Sequence, residues 1–146
     1  MKKKLNLFKK VLVPTDFSPQ SEKSLDYAVM IAGQFGAKIF LLHVIEPFPY
    51  TTTDALMVVD NSEAMRSIAE SLIKNLVKTL RQKKITVKTD LVVGNTTHEI
   101  IMKAEQEKID LIVMGTHGRT GLEHVLLGSV AEKVVRLATC PVLTVR

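Results

Sequence analysis

The chain opens its ordered pattern with a short uninterrupted apolar run, Val11-Leu12-Val13, that stops at Pro14-Thr15-Asp16. Such a run without polar alternation is the mark of a strand covered on both faces, here with a polar residue at its C-terminal end. Ser18 before Pro19 reads as an N-cap followed by proline at the first helical position. Leu25, Ala28, Val29, Ala32 and Phe35 then recur at helical spacing, and Gly36 supplies a stop. Ile39 to Val44 is a second apolar strand. Residues 46–60 fit neither period; two prolines and three consecutive threonines there predict a long loop, a lid or a partner contact. From Ser62 the helical period returns, with Met65, Ile68, Ala69, Leu72, Leu76 and Leu80 as the predicted apolar stripe.

Lys84 to Val93 holds a third strand with Val87, Leu91 and Val93 on alternate positions, ended by Gly94. Thr96 or Thr97 is the expected cap of a helix carrying Ile100, Ile101 and Ala104. Asp110 to Met114 is a fourth buried strand, followed by a glycine-rich loop from Gly115 to Gly128. Val130, Val134 and Leu137 define a last helix, and Pro141 to Val145 is a fifth strand. Strands and helices therefore alternate through one domain, residues 1–146, with a basic N-terminal tail over about 1–8. The predicted class is α/β: a single doubly wound domain whose five-stranded parallel sheet carries helices on both faces.

Charge narrows the function classes only a little. The chain of 146 residues has a formal charge of +5, but Lys2, Lys3, Lys4, Lys9 and Lys10 lie in the first ten residues, which contain no acid. The rest carries 15 basic and 15 acidic groups, so no basic face is implied, and nucleic acid is not the expected partner. One cysteine, Cys140, excludes an internal disulfide and a thiolate-rich metal site; it reads as a structural thiol. The first apolar run is too short for a secretory signal or a membrane span, which makes a cytoplasmic, non-membrane protein the expectation. The histidines have no zinc-binding spacing: His43 lies in an apolar strand, and His98 and His124 read as surface residues.

In an open α/β sheet, ligands collect beyond the C-terminal strand ends. Asp16, Val44, Gly94 and Gly115 fall at such ends. Gly115, Gly118, Gly121 and Gly128 permit close backbone approach, and Gly128-Ser129 immediately precedes a helix whose first N–H groups can receive phosphate oxygens. The loop is neither a Walker A motif nor a dinucleotide G-x-G-x-x-G fingerprint. From spacing alone two readings stand: a phosphate or nucleotide site, or glycines that serve the turn only.

Gly115, Gly118, Gly128 and Ser129 follow the pattern G, two residues, G, nine residues, G, then Ser or Thr. With Val13-Pro14-Thr15-Asp16, Leu42-His43-Val44 and the terminal Cys140-Pro141-Val-Leu-Thr-Val145, the chain resembles the nucleotide-binding branch of the universal stress proteins over nearly its whole length. That resemblance implies a sheet in the order 3-2-1-4-5 and an ATP site. Asp16 would contact the ribose, with the backbone near Pro14, Thr15 and Val44 framing the adenine. Gly115, Gly118, Gly128, Ser129 and Val130 would cradle the ribose and phosphates, with Met114 and His117 lining the cleft. Arg119, read from its place next to the loop rather than from the resemblance, is either an aid to the phosphates or a solvated arginine. Mg²⁺ or Mn²⁺ would be held mainly through the phosphates, and a homodimer would form by pairing of Val142–Val145 across a two-fold axis. One departure is Gly94-Asn95-Thr96, where the family often has G-x-[PA]. No side chain stands out as a general base. The implied function is a nucleotide-dependent regulatory or stress-response protein. The alternatives are a weak ATPase or adenylate-handling enzyme, and a nucleotide-independent dimeric interaction module.

Overall fold

In the computed structural model, residues 7–47, 62–118 and 127–146 are described. The chain order is β1 (Lys10–Pro14), α1 (Pro19–Phe35), β2 (Lys38–Ile45), α2 (Ser62–Gln82), β3 (Val87–Val93), α3 (Thr96–Gln106), β4 (Leu111–Gly115), α4 (Ser129–Leu137) and β5 (Val142–Val145). The five strands form one parallel sheet in the order β3-β2-β1-β4-β5. Both the class and the strand order agree with the sequence reading. The basic tail through residue 6, most of the predicted 46–60 loop, and Arg119 lie outside the described residues.

The pattern of β1 explains the layering. Val11, Leu12 and Val13 are all fully buried, so this strand must sit at the centre of the sheet with helices on both faces. Burial of each such side chain is worth about 1.5–3 kcal/mol. Because successive side chains point to opposite faces, Val11 and Val13 pack with Leu25, Ala28 and Ala32 of α1 and Leu80 of α2. Leu12 packs on the other side with Ile100 and Ala104 of α3 and Ala131 and Val134 of α4. Register is anchored by Val11 opposite Ile39 on one side and Leu111 on the other.

The ends of α1 form as the sequence predicts. Ser18 Oγ accepts the Ser21 N–H at 3.2 Å, and Gly36 closes the helix in the left-handed conformation, φ 70°. Five expectations are corrected. Asn95, not Thr96 or Thr97, caps α3: its Oδ1 accepts the His98 N–H at 3.0 Å. Asp110 lies outside β4 and instead accepts the N–H groups of Lys9 and Lys10, each at 2.9 Å, tying the starts of β1 and β4 together. The buried face of α2 runs through Ala69, Ile73 and Leu80, while Met65, Ile68 and Leu72 are exposed. Leu137 is exposed as well, and Ala131 replaces it in the core face of α4. Residues 84–86 form the exit turn of α2, with Ile85 N–H bonded to Leu80 O at 3.0 Å, so β3 starts later than predicted.

Candidate nucleotide-binding cleft

The sheet order creates the site. The connection from β1 leads to β2 on one side, while β4 lies against β1 on the other and leads on to β5. The crevice beyond the strand ends at this reversal is where open α/β sheets take ligands. A cleft of about 610 Å³ opens there. Its apolar lining comes from Pro14, Leu42, Val44, Ile100, Met114, Leu127 and Val130, and its polar lining includes Thr15, Asp16, Thr116, His117 and Ser129.

Eleven of the twelve residues predicted for the site line this cleft: Pro14, Thr15, Asp16, Val44, Met114, Gly115, His117, Gly118, Gly128, Ser129 and Val130. The twelfth, Arg119, is not among the described residues. Sequence reasoning missed Ser21, Glu46 and Thr96, which also line it. Ser21 was legible only as part of the α1 cap. Glu46 and Thr96 stand far apart in the chain and meet because β2 ends beside the start of α3.

Asp16 is fixed by local chemistry. Its Oδ1 accepts the Ser18 N–H at 2.9 Å, the two-residue reach of an aspartate turn. The other oxygen, Oδ2, lies 2.8 Å from the point where a Cβ on Gly118 would stand. Glycine at 118 is therefore what lets the carboxylate lie against the loop. Thr15 is buried, with Oγ1 taking the Phe17 N–H at 3.0 Å and sharing a hydrogen bond with Ser21 Oγ at 3.2 Å. His43, read from sequence as a packing residue, hydrogen-bonds Thr15 O through Nδ1 at 2.7 Å. His117 pairs through Nδ1 with Thr116 Oγ1 at 2.9 Å.

The two ends of the glycine-rich segment meet through Gly128 N–H and Thr116 O at 2.6 Å. A Cβ on Gly128 would stand 2.9 Å from that same carbonyl oxygen. The sequence reading leaves ligand approach and a turn role both open for Gly128, and packing against Thr116 gives the glycine a structural reason of its own. Gly128 is also the N-cap of α4, and no side chain caps this end. The opening N–H groups of α4 have no acceptor within the helix and carry the positive end of its dipole. This is the electrostatic element of the cleft that suits an anion.

On the far wall, Glu46 Oε1 accepts the Thr96 N–H at 3.0 Å. The side-chain and then the backbone hydrogen bonds from Thr96 hold the Glu46 carboxyl below its ordinary value. Of the two residues the family often has at this position, proline would have no N–H to offer, whereas Thr96 does. Among the described residues, no group of three or more His, Cys, Asp or Glu is arranged to hold a metal ion. Burial pushes the Cys140 thiol up, and it packs beside the α3–α4 core. No helix among the described residues is long and apolar enough to cross a membrane.

Comparison with known proteins bears on the whole of this architecture. The model of the universal stress protein family matches residues 7–146. Universal stress protein MJ0531 of Methanocaldococcus jannaschii is 38% identical over 142 residues, covering 97% of this chain and 84% of the relative. MJ0577 of the same organism is 32% identical over 155 residues, covering 96% of both chains. The solved MJ0577 structure superposes with a TM-score of 0.83 over 95% of this chain and 96% of that one, at 34% identity. A universal stress protein solved in complex with cAMP is 26% identical, with a TM-score of 0.73 over 96% of this chain and 98% of that one. Family model, relatives and fold agree across nearly the full length, and the chain belongs to the universal stress protein family.

Proposed function

We propose that this chain binds ATP in the cleft at the ends of β1 and β4 and acts as a nucleotide-dependent regulatory or stress-response protein of the cytoplasm. The observation that carries the reading is the pairing, in one crevice, of an uncapped helix start at Gly128 with a carboxylate at Asp16. The first suits phosphate oxygens. The second suits hydroxyl donors such as those of a ribose. The apolar wall of Pro14, Val44 and Met114 suits a purine face. A relative solved in complex with cAMP supports an adenine nucleotide as the ligand class.

In this reading Thr15 and Val44 border the base, and Asp16 takes the ribose. Gly115, Gly118, Gly128, Ser129 and Val130 surround the phosphates, with His117 at their flank; Arg119, outside the described residues, is proposed from its sequence position to assist them. Mg²⁺ or Mn²⁺ would be held chiefly by phosphate oxygens, screening their charge from Asp16, Glu46 and Glu132, the carboxylates on the cleft. Occupancy itself is the signal, acting by favouring one conformation over another. A homodimer through Val142–Val145 belongs to the same proposal: β5 is a sheet edge, and Leu143 on it is exposed.

Calorimetric titration of nucleotide-stripped protein with Mg-ATP, with AMP as comparison, tests the reading. Saturation near one ATP per chain, tighter than AMP, is the expected result. No heat at any of several temperatures would refute nucleotide binding and leave the glycines with the turn alone.

A further inference from the structure

The residue after Asp16 has a backbone conformation that its side chain does not favour. Phe17 adopts φ 62°, the left-handed region where a Cβ crowds the backbone. Such a conformation persists only where its surroundings over-determine it. Here they do. The Phe17 N–H is tied to Thr15 Oγ1 at 3.0 Å, and its ring lies against the His43 imidazole with centroids 4.5 Å apart and planes at 41°. His43 in turn bonds Thr15 O through Nδ1 at 2.7 Å. A carbonyl oxygen only accepts, so Nδ1 carries the proton in this bond.

One side chain of β2 thus grips both neighbours of Asp16. The His43 nitrogen holds the carbonyl before it, and the His43 ring faces the side chain after it. The left-handed step at Phe17 turns the chain so that the Ser18 N–H meets Asp16 Oδ1 at 2.9 Å. It also leaves Oδ2 over Gly118. Relaxation of Phe17 to an extended conformation would carry that N–H away and release the carboxylate. Neither Phe17 nor His43 lines the cleft, so neither is offered as a ligand contact.

We propose that His43 and Phe17 are positioning residues that clamp the Thr15–Asp16–Phe17 turn and set the Asp16 carboxylate for the sugar hydroxyls of the nucleotide. This rests on the ribose role given to Asp16 above. His43 supplies the hydrogen bond, Phe17 the strained turn, and their tilted ring contact couples the two. The consequence is specific: loss of the clamp weakens recognition of the sugar and leaves the base and phosphate contacts in place.

The test is the ratio of affinities for ATP and its 2′,3′-dideoxy analogue, measured by calorimetry on the full chain alongside thermal unfolding. Asp16→Ala should bring the ratio close to one. His43→Leu, which keeps bulk and removes the donor, should weaken ATP about tenfold and the dideoxy analogue less than about twofold, as loss of one hydrogen bond to the sugar implies. His43→Asn restores a donor near the Nδ1 position and should return the ratio to within about threefold of the parent. Phe17→Leu keeps the strained step without the ring contact and should lower the ratio as His43→Leu does. It carries the test if His43→Leu does not fold. Equal weakening of both ligands in the His43 and Phe17 variants, with the Asp16→Ala ratio near one, would overturn the positioning role alone. An unchanged ratio in Asp16→Ala would overturn the ribose role and this proposal together.

Discussion

At the residue scale, two glycines of one signature do different physical work. Gly118 makes room for a carboxylate: a Cβ there would stand 2.8 Å from Asp16 Oδ2, the end of a side chain that can swing away. Gly118→Ala should therefore fold with little change in melting temperature and lose about tenfold or more in ATP affinity as Asp16 is displaced. Circular dichroism melts and an ATP titration of the variant check both halves. Gly128 is pressed against backbone instead, 2.9 Å from Thr116 O, and a carbonyl in a strand-end turn has nowhere to go. Gly128→Ala should cost about 1–3 kcal/mol of stability, the usual range for overpacking, in addition to any loss of affinity. Urea unfolding of the variant measures that cost, and a wild-type midpoint would show that the Thr116 contact yields. The spacing of Gly115, Gly118, Gly128 and Ser129 made the loop legible in the sequence. The opposing surfaces, Asp16 for one glycine and Thr116 for the other, were not, because they depend on how two strand ends meet.

At the element scale, caps and buried stripes decide which sequence signals held. Ser18 with Pro19 and Gly36 named both ends of α1, because these residues act on backbone groups within a few positions. The start of α3 was harder: Asn95, Thr96 and Thr97 all carry capping side chains, and only the geometry of the exit from β3 selects Asn95. In α2 the apolar residues cover more than one stripe, so the sequence alone could not tell that the sheet takes Ala69, Ile73 and Leu80 rather than Met65, Ile68 and Leu72. The Glu46 contact ties the end of β2 to the start of α3, and its pH dependence follows from the lowered carboxyl. A carboxyl depressed on folding contributes its full stabilisation above its unfolded value near 4.5 and loses it as pH falls through the lower folded value. Glu46→Gln should therefore be less stable than the parent at pH 7, with the gap closing in acid. Unfolding midpoints of both chains at pH 7 and pH 3 check the sign. A gap that widens in acid would contradict it.

At the scale of the whole molecule, alternating apolar strands and amphipathic helices were enough to give the α/β class, since a parallel sheet buries its strands on both faces. Strand order was not in the periodicity. It came from the family resemblance, and β3-β2-β1-β4-β5 is the order observed. That order alone brings Asp16 after β1 to the same crevice as Gly115 at the end of β4 and Val44 on β2. It also leaves β5 at an edge, where the proposed dimer pairs Val142–Val145 with a second copy. Leu143→Lys should convert such a dimer to a monomer in sedimentation velocity; a parent chain that is already monomeric would refute that interface. The central claim is that ATP occupies this cleft, with its phosphates at the start of α4. Amide chemical-shift mapping of the ¹⁵N-labelled chain with Mg-ATP tests it most directly. The largest shifts are predicted at Asp16, Gly115, Gly118, Gly128, Ser129 and Val130, with β3 and the exposed face of α2 unmoved. Saturable shifts confined to α2 and β3, or no shifts at all, would contradict it.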